Sequence, residues 1–391
     1  MAEVFWSASP QSPGETTEWL DRVERTTPVL VRYRERAERE RVTPAEVIEA
    51  LRAQNIHRMW VSPAFGGGGV SVRTGSAVLQ ALARVDAAVA WQMGVQGVIS
   101  RLSDYLPEQV ARQLFHDSDG LVVGGINPTG QAEPVAGGYR VRGRWSFASG
   151  STHADWLVCA SVVTGPEVAA SPTRMLFVPS DAVRFEDDWH TVGLRGTGSV
   201  SFTVDDLFVP DDFAVDGGLL RRPPRDRPSR AHAIAYYDFG PFTTASTALG
   251  IAQDALSEFP RIAVGTVPAR GTETLATSHT VQAGLARAAA LVRGAELMLT
   301  DAADQASRSG AAGGEELSAL IRLAAATVGE NAVRAVDSLH SLAGTRALTA
   351  GGRLDRCFRD VHSAVAHITL APTNFEMVGA YLLGNALLMR R

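Results

Sequence analysis

The spacing of apolar residues changes twice along this chain, and that double change restricts the fold more than any other feature. To about residue 118 the apolar positions recur at helical intervals, as in "VIEALRAQNIHRMW" and the nearly all-apolar "SAVLQALARVDAAVAWQMGVQGVISRL". A helix apolar on most sides is a buried one. Thr43-Pro44-Ala45-Glu46 has the form of a capping box with proline at the first helical position. "SPAFGGGGVSV" interrupts the pattern, and its run Gly66 to Gly69 reads as a flexible turn. From about residue 120 the period becomes two, in "YRVRGRWSF", "WLVCASVV", "RMLFVP" and "SVSFTVDDLFVP", with Gly, Pro and Asp between them. That is the signature of a compact β-domain. "RRPPRDRPSR", Arg221 to Arg230, with three prolines and five arginines, reads as an exposed linker or excursion, a solvated loop in preference to an anion site. Four long helix-period segments follow: "FTTASTALGIAQDALSEF", "TVQAGLARAAALVRGAELMLTDAADQA", "ELSALIRLAAATVGENAVRAVDSLHSLAG" and "RDVHSAVAHITLAPTNFEMVGAYLLGNALL". Similar length and small-residue richness suit a four-helix bundle. The expected architecture is α+β, with a helical domain at 1–118, a β-domain at 119–225 and the bundle at 226–391.

Composition narrows the class. A chain of 391 residues, 45% hydrophobic, buries a large core in two or three units. Its formal charge of −5 leaves no basic face for nucleic acid. The N-terminus lacks a basic segment followed by an apolar run, and no stretch reaches about 18 apolar residues, so a cytoplasmic protein away from membranes is expected. Cys159 and Cys357 fit no CxxC or zinc pattern and read as buried thiols. GxxxxGK[ST], GxGxxG between strand and helix, HExxH and GxSxG are missing, so neither a P-loop, a Rossmann nicotinamide site nor a metal site is expected.

Five strings, in order, resemble the acyl-CoA dehydrogenase superfamily over nearly the whole chain: "VSPAFGGGG", "RVRGRWSFASGSTHADW", "GLRGTGSVSFTVDDLFVP", "ALGIAQDAL" and "AGTRALTAGGRLDRCFRDV". The resemblance implies an N-terminal helical domain, a middle β-barrel and a C-terminal four-helix bundle holding a flavin between them, usually in a homotetramer, with a dimer next. Aligned so, Phe147 lies beside the flavin ring and Ser149 near its N5 edge. A flat apolar ring suits an aromatic neighbour, and its heteroatom edge suits a hydroxyl. The residue-level alternative puts Phe147 in the barrel core and Ser149 in a turn.

One departure directs the function. Family dehydrogenases with a C-terminal base carry a glutamate after an Arg-Asp pair; here Arg359-Asp360 is followed by a segment that sets His367 and Ile368 at those positions. Isoleucine cannot take an α-proton. The histidine, with "GRWSFASGS.HADW" and "W..VGLRGTGS", is similar to the flavin-dependent monooxygenase branch. That likeness implies reduced flavin (FADH2 or FMNH2) from a separate NAD(P)H:flavin reductase, dioxygen, and a small aromatic substrate hydroxylated through a flavin C4a-hydroperoxide. Ser149 would hydrogen-bond at the flavin, and His367, titrating near neutrality, would move a proton, unless it is simply a histidine satisfied inside the bundle. By the same alignment Thr197 and Ser199 line the site or form a strand-entry turn, and Asn127 lies near the flavin pyrimidine or starts a proline turn. Trp189 walls the pocket or anchors the barrel, and Arg270 reaches a neighbouring subunit's pyrophosphate or lies on the surface. The alternatives are an acyl-CoA dehydrogenase with a displaced base and a non-catalytic protein of the same fold.

Overall fold

The computed structural model describes residues 14–118, 120–165, 172–224, 234–269, 271–309 and 314–387. Among the described residues, five helices form the N-terminal part: α1 (Gly14–Glu40), α2 (Ala45–Ala53), α3 (Val72–Ala83), α4 (Ala87–Ser100) and α5 (Glu108–Phe115). The long apolar stretch expected as one helix is two, α3 and α4. Asp86 ends the continuity, its carboxylate accepting from Ala88 N at 3.0 Å and Val89 N at 3.3 Å as the N-cap of α4. The capping box before α2 does not form either. Pro44 is the N-cap, without a side-chain bond, and buried Thr43 serves a tertiary contact: Oγ1 donates to Gly196 O at 2.9 Å and accepts from Gln92 Nε2 at 2.6 Å. A buried amide left without an acceptor costs more than a helix end that solvent can reach.

The glycine run is packed rather than flexible. Gly68 N donates to Arg58 O at 2.9 Å, and a Cβ on Gly68 would stand 2.3 Å from the Trp19 ring. Only glycine permits that approach.

The middle part is a seven-stranded sheet: β1 (Leu121–Val135), β2 (Gly138–Trp145), β3 (Ala154–Val163), β4 (Thr173–Pro179), β5 (Arg184–Phe185), β6 (Phe202–Pro210) and β7 (Ala214–Asp216). The strand order is β5-β6-β2-β1-β3-β4-β7, antiparallel except where β1 meets β3. β4 and β6, four places apart in that order, come into contact, so the sheet curls over its own face. Within β1 the pairing with β3 jumps from Gly125–Cys159 to Gly130–Ser161, which puts residues 126 to 129 out of that ladder. Trp145, 1% exposed, fills the space beneath, donating from Nε1 to Ala160 O at 2.7 Å. A Cβ at Gly130 would lie 2.0 Å from its ring. Trp145 thus locks the end of β2, from which residues 146 to 150 depart.

Three long helices follow, α6 (Tyr236–Gly265), α7 (His279–Ser309) and α8 (Gly314–Ala343). α6 is buried over most of its length and touches α3, α4, α8 and α9, so it joins the two helical parts into one core. The fourth expected segment is broken into α9 (Arg353–Ala364) and α10 (Thr373–Leu382), with a single 3-10 turn, Ile368–Leu370, between them. The chain leaves the helical path at His367, φ −72° and ψ 137°, and Pro372, which offers no N–H, holds Ala371 extended as well, at φ −64° and ψ 147°. Cys159 and Cys357 are both buried, and burial raises both thiol pKa values. Among the described residues no helix is long and apolar enough to cross a membrane.

Candidate active site

The loop after β2 carries an aromatic ring outward and hydroxyls inward. Phe147 has φ 63°, a left-handed conformation uncommon for a side-chain-bearing residue, and is 73% exposed. The barrel-core alternative for Phe147 therefore does not hold; Trp145 and Ala148 are the buried neighbours. The next three backbone donors are engaged: Ala148 N with Val200 O at 3.2 Å, Ser149 N with Phe147 O at 2.9 Å, Gly150 N with Thr197 O at 2.9 Å. Such a conformation costs about 1–3 kcal/mol and persists only when its surroundings impose it. Trp189 stands edge-on to Phe147, centroids 6.3 Å apart and planes at 88°. Its indole donates to Arg195 O at 3.0 Å, so Trp189 is both anchored and part of the aromatic wall.

Beside that wall lies a row of buried hydroxyls. Ser149 Oγ and Ser199 Oγ are 2.7 Å apart, Ser199 Oγ and Thr197 Oγ1 2.7 Å, and Thr197 Oγ1 donates to Leu194 O at 2.8 Å. Leu194 is itself left-handed, at φ 51°. The C-terminal helices hold it there, because Asp360 Oδ1 on α9 accepts from Leu194 N at 2.6 Å. Desolvation raises the Asp360 pKa to about 7. Arg359 next to it donates to Val192 O at 2.7 Å and to Glu38 at 2.6 Å, while Arg195 donates to Glu38 O at 3.0 Å. The Arg-Asp pair that marked the family string is thus a clamp on residues 192 to 195. Sequence reasoning named the pair but gave it no role, and no periodicity or spacing could have shown that it reaches across to another domain.

His367 sits in the break between α9 and α10, as N-cap of the 3-10 turn. Thr369 N donates to His367 Nδ1 at 3.3 Å, and Thr369 Oγ1 lies 2.8 Å from the same nitrogen. Nδ1 is therefore an acceptor, which assigns the neutral Nε2–H tautomer. Burial lowers the pKa to about 4, so the expected titration near neutrality is corrected: the ring is neutral at pH 7. Thr244 of α6 extends the contact, its Oγ1 2.7 Å from Thr369 Oγ1. Trp91 of α4 stands edge-on to the imidazole at 5.7 Å and 75°. The next residue, Gln92, lies against the other group, its Oε1 3.4 Å from where a Cβ on Gly150 would be. α4 is therefore the element shared by the hydroxyl row and the histidine. Trp91, Thr244 and Thr369 had no signal in the sequence beyond being helix or loop residues.

Asn127 is exposed, on the part of β1 that leaves the ladder with β3. Arg270 and residues 225 to 230 of the arginine-rich linker lie outside the described residues. An exposed aromatic ring, a half-buried indole and adjacent buried hydroxyls suit the apolar faces and polar edge of a flavin ring.

Architecture and site together define the class: an acyl-CoA dehydrogenase fold with an aromatic and hydroxyl wall beside its sheet. The family patterns described as acyl-CoA dehydrogenase, N-terminal domain, and acyl-CoA dehydrogenase, C-terminal domain, match residues 17–112 and 242–372, together more than half of the chain. The FADH(2)-dependent resorcinol hydroxylase, oxygenase component, of Rhizobium sp. (strain MTP-10005) is 31% identical over 98% of this chain and 97% of its own. The indole-3-acetate monooxygenase of Pseudomonas putida is 27% identical over 89% of each. Among solved structures, XiaF from Streptomyces sp. in complex with FADH2 and glycerol superposes with a TM-score of 0.90 at 25% identity, covering 96% of this chain and 97% of that one. The chain belongs to the acyl-CoA dehydrogenase family, in its flavin-dependent monooxygenase branch.

Proposed function

We propose that this chain is the oxygenase component of a two-component monooxygenase that hydroxylates a small aromatic substrate, a phenol, polyketide or indole-like ring. Reduced flavin, FADH2 or FMNH2, comes from a separate NAD(P)H:flavin reductase, and dioxygen is the co-substrate. The observation that carries this reading is Phe147, held outward in a strained conformation beside a row of hydroxyls, with Ile368 where a dehydrogenase would keep its carboxylate. The relatives that cover most of the chain support it, being named as monooxygenases and hydroxylases.

Phe147 and Trp189 flank the flavin ring, Ser149 meets its N5 edge, and Thr197 and Ser199 fix that serine. Asn127 lies toward the pyrimidine side, and Arg270 serves the pyrophosphate of a neighbouring subunit's flavin. Reduced flavin, when bound, supplies the electrons and the oxygen-transfer chemistry with dioxygen. The protein's part is to exclude water and orient the partners. His367, neutral and with no hydrogen bond to a described residue at Nε2, donates from Nε2–H to a substrate oxygen. Nδ1 stays an acceptor for Thr369, whose hydroxyl Thr244 connects to α6, so the ring is held with its proton toward the substrate. The protein is cytoplasmic and a homotetramer, with a dimer next. Exposed Leu348, Leu382 and Leu383, at 70%, 75% and 85%, support association. Three units, divided near residues 118 and 225, carry these roles.

The test is anaerobic titration with reduced FAD or FMN, then rapid mixing with oxygenated buffer while the spectrum is recorded. A transient absorbing species before oxidised flavin returns, shortened in Ser149→Ala, is expected. Direct return to oxidised flavin, with bleaching of bound FAD by an acyl-CoA, would place the chain among the dehydrogenases.

A further inference from the structure

We infer that Thr197, Ser199 and Ser149 form a hydrogen-bond row of fixed direction that leaves Ser149 as an acceptor only, and that this selects reduced over oxidised flavin. The inference rests on the proposed placement of Ser149 at the N5 edge.

The direction follows from counting hydrogens. Each hydroxyl has one to give. Leu194 O is a carbonyl and can only accept, so the 2.8 Å contact commits the Thr197 hydrogen to it. Thr197 Oγ1 must then accept from Ser199, and Ser199 in turn from Ser149. The opposite order would set two bare oxygens 2.8 Å apart at Leu194. Leu194 cannot readily turn its carbonyl aside, because its N–H is tied to Asp360 at 2.6 Å and its backbone is held left-handed. The three hydroxyl residues are 1% to 4% exposed, so Thr197 and Ser199 are satisfied by protein groups.

The backbone closes the remaining route. The N–H groups of Ala148, Ser149 and Gly150 all point to protein carbonyls. At Ser149 itself the side chain therefore offers a ligand lone pairs and no hydrogen. Reduced flavin carries a hydrogen on N5, whereas oxidised flavin has a lone pair there. At Ser149 the first meets an acceptor, and the second meets lone pairs facing its own.

The experiment measures the dissociation constants of oxidised FAD and anaerobically dithionite-reduced FAD for the full chain and for Thr197→Val, Ser199→Ala and Ser149→Ala. Removing either acceptor in the row frees the Ser149 hydrogen. Thr197→Val and Ser199→Ala should therefore narrow the preference for reduced FAD roughly tenfold, by tightening oxidised and loosening reduced binding. For a two-electron couple that is a shift of about 30 mV in the potential of the bound flavin. Two variants at different points of the row guard against one failing to fold. An unchanged ratio in both, with an altered ratio in Ser149→Ala, would overturn the directional row while leaving the flavin placement standing. If Ser149→Ala also kept both affinities and the bound spectrum, the placement itself would fall, and the inference with it.

Discussion

The β-domain wall and the histidine turn in the bundle are built in opposite ways. The wall at Phe147 to Ser149 is a strained backbone pinned by main-chain bonds and, through Leu194, by a buried carboxyl from another domain. The turn at His367 is relaxed backbone, extended at φ −72° and ψ 137°, whose order comes from side chains: Thr369, Thr244 and Trp91. Strain at one end fixes where the Phe147 ring must lie. Hydrogen bonds at the other fix which nitrogen carries the proton. Changes at the turn should therefore alter turnover more than cofactor binding, and changes at the wall the reverse.

The largest expected effect is at the turn. His367→Ala should lower turnover of an aromatic substrate by roughly 10²-fold or more, the scale of a lost proton-transferring group, with FAD affinity near that of the unmodified chain. Steady-state rates and FAD titration, done together, check it. Because the imidazole is lowered to about 4, turnover should show no inflection near 6.5 from this group. A histidine depressed in the fold contributes stability above its unfolded pKa near 6.5, and that contribution is lost as pH falls through 4.

Next in size is the clamp behind the wall. The Asp360 carboxyl has a folded pKa raised from 3.8 to about 7, so its contribution to stability is full below 3.8 and lost as pH rises through 7. Glu38 and Asp86 face it with the same sign, opposed by Arg356. Asp360→Asn keeps an acceptor for Leu194 N and removes the titration. In urea unfolding it should gain about 1–3 kcal/mol relative to the unmodified chain on going from pH 5 to pH 8. A constant gap across that range would remove the buried carboxyl as the cause.

Phe147→Gly separates the two regions most cleanly at smaller cost. Glycine accepts φ 63° without strain, and the ring is 73% exposed, so thermal stability should hold or rise by up to about 1 kcal/mol. FAD binding should weaken by a few-fold to tenfold, the range of an aromatic contact. A fall in stability with unchanged flavin binding would make Phe147 a packing residue after all. The smallest effect belongs to Thr244→Val, which removes the outer hydroxyl of the histidine contact. It should cost about 0.5–1.5 kcal/mol of stability and leave the FAD affinity alone, as denaturation and titration would show.

How much could be read beforehand differs between the two regions in the same way. The "RWSFASGS" string was legible because a strand period ends in small hydroxyls, and the structure places Ser149, Thr197 and Ser199 in one row. The turn was not, since "VAHITLAP" keeps a helical apolar period right through His367, and the break is made by the extended backbone at His367 and by Pro372 with the extended Ala371. Asp86 divided an apolar run by the same local means, a carboxylate capping two amides inside a sequence that periodicity joins. Thr43 went the other way, a capping residue taken by a buried glutamine from far along the chain.

The sequence by itself determined the succession of helical, alternating and helical segments, the buried character of α4, and which residue types were available to face a flavin. Those follow from local period and side-chain chemistry. Only the tertiary structure decided that Phe147 points outward, that His367 is neutral with its proton on Nε2, and that Asp360 holds Leu194 across a domain boundary. Such features depend on contacts between residues far apart in the chain, where burial sets the protonation state and a carbonyl from one segment fixes the direction of hydroxyls from another.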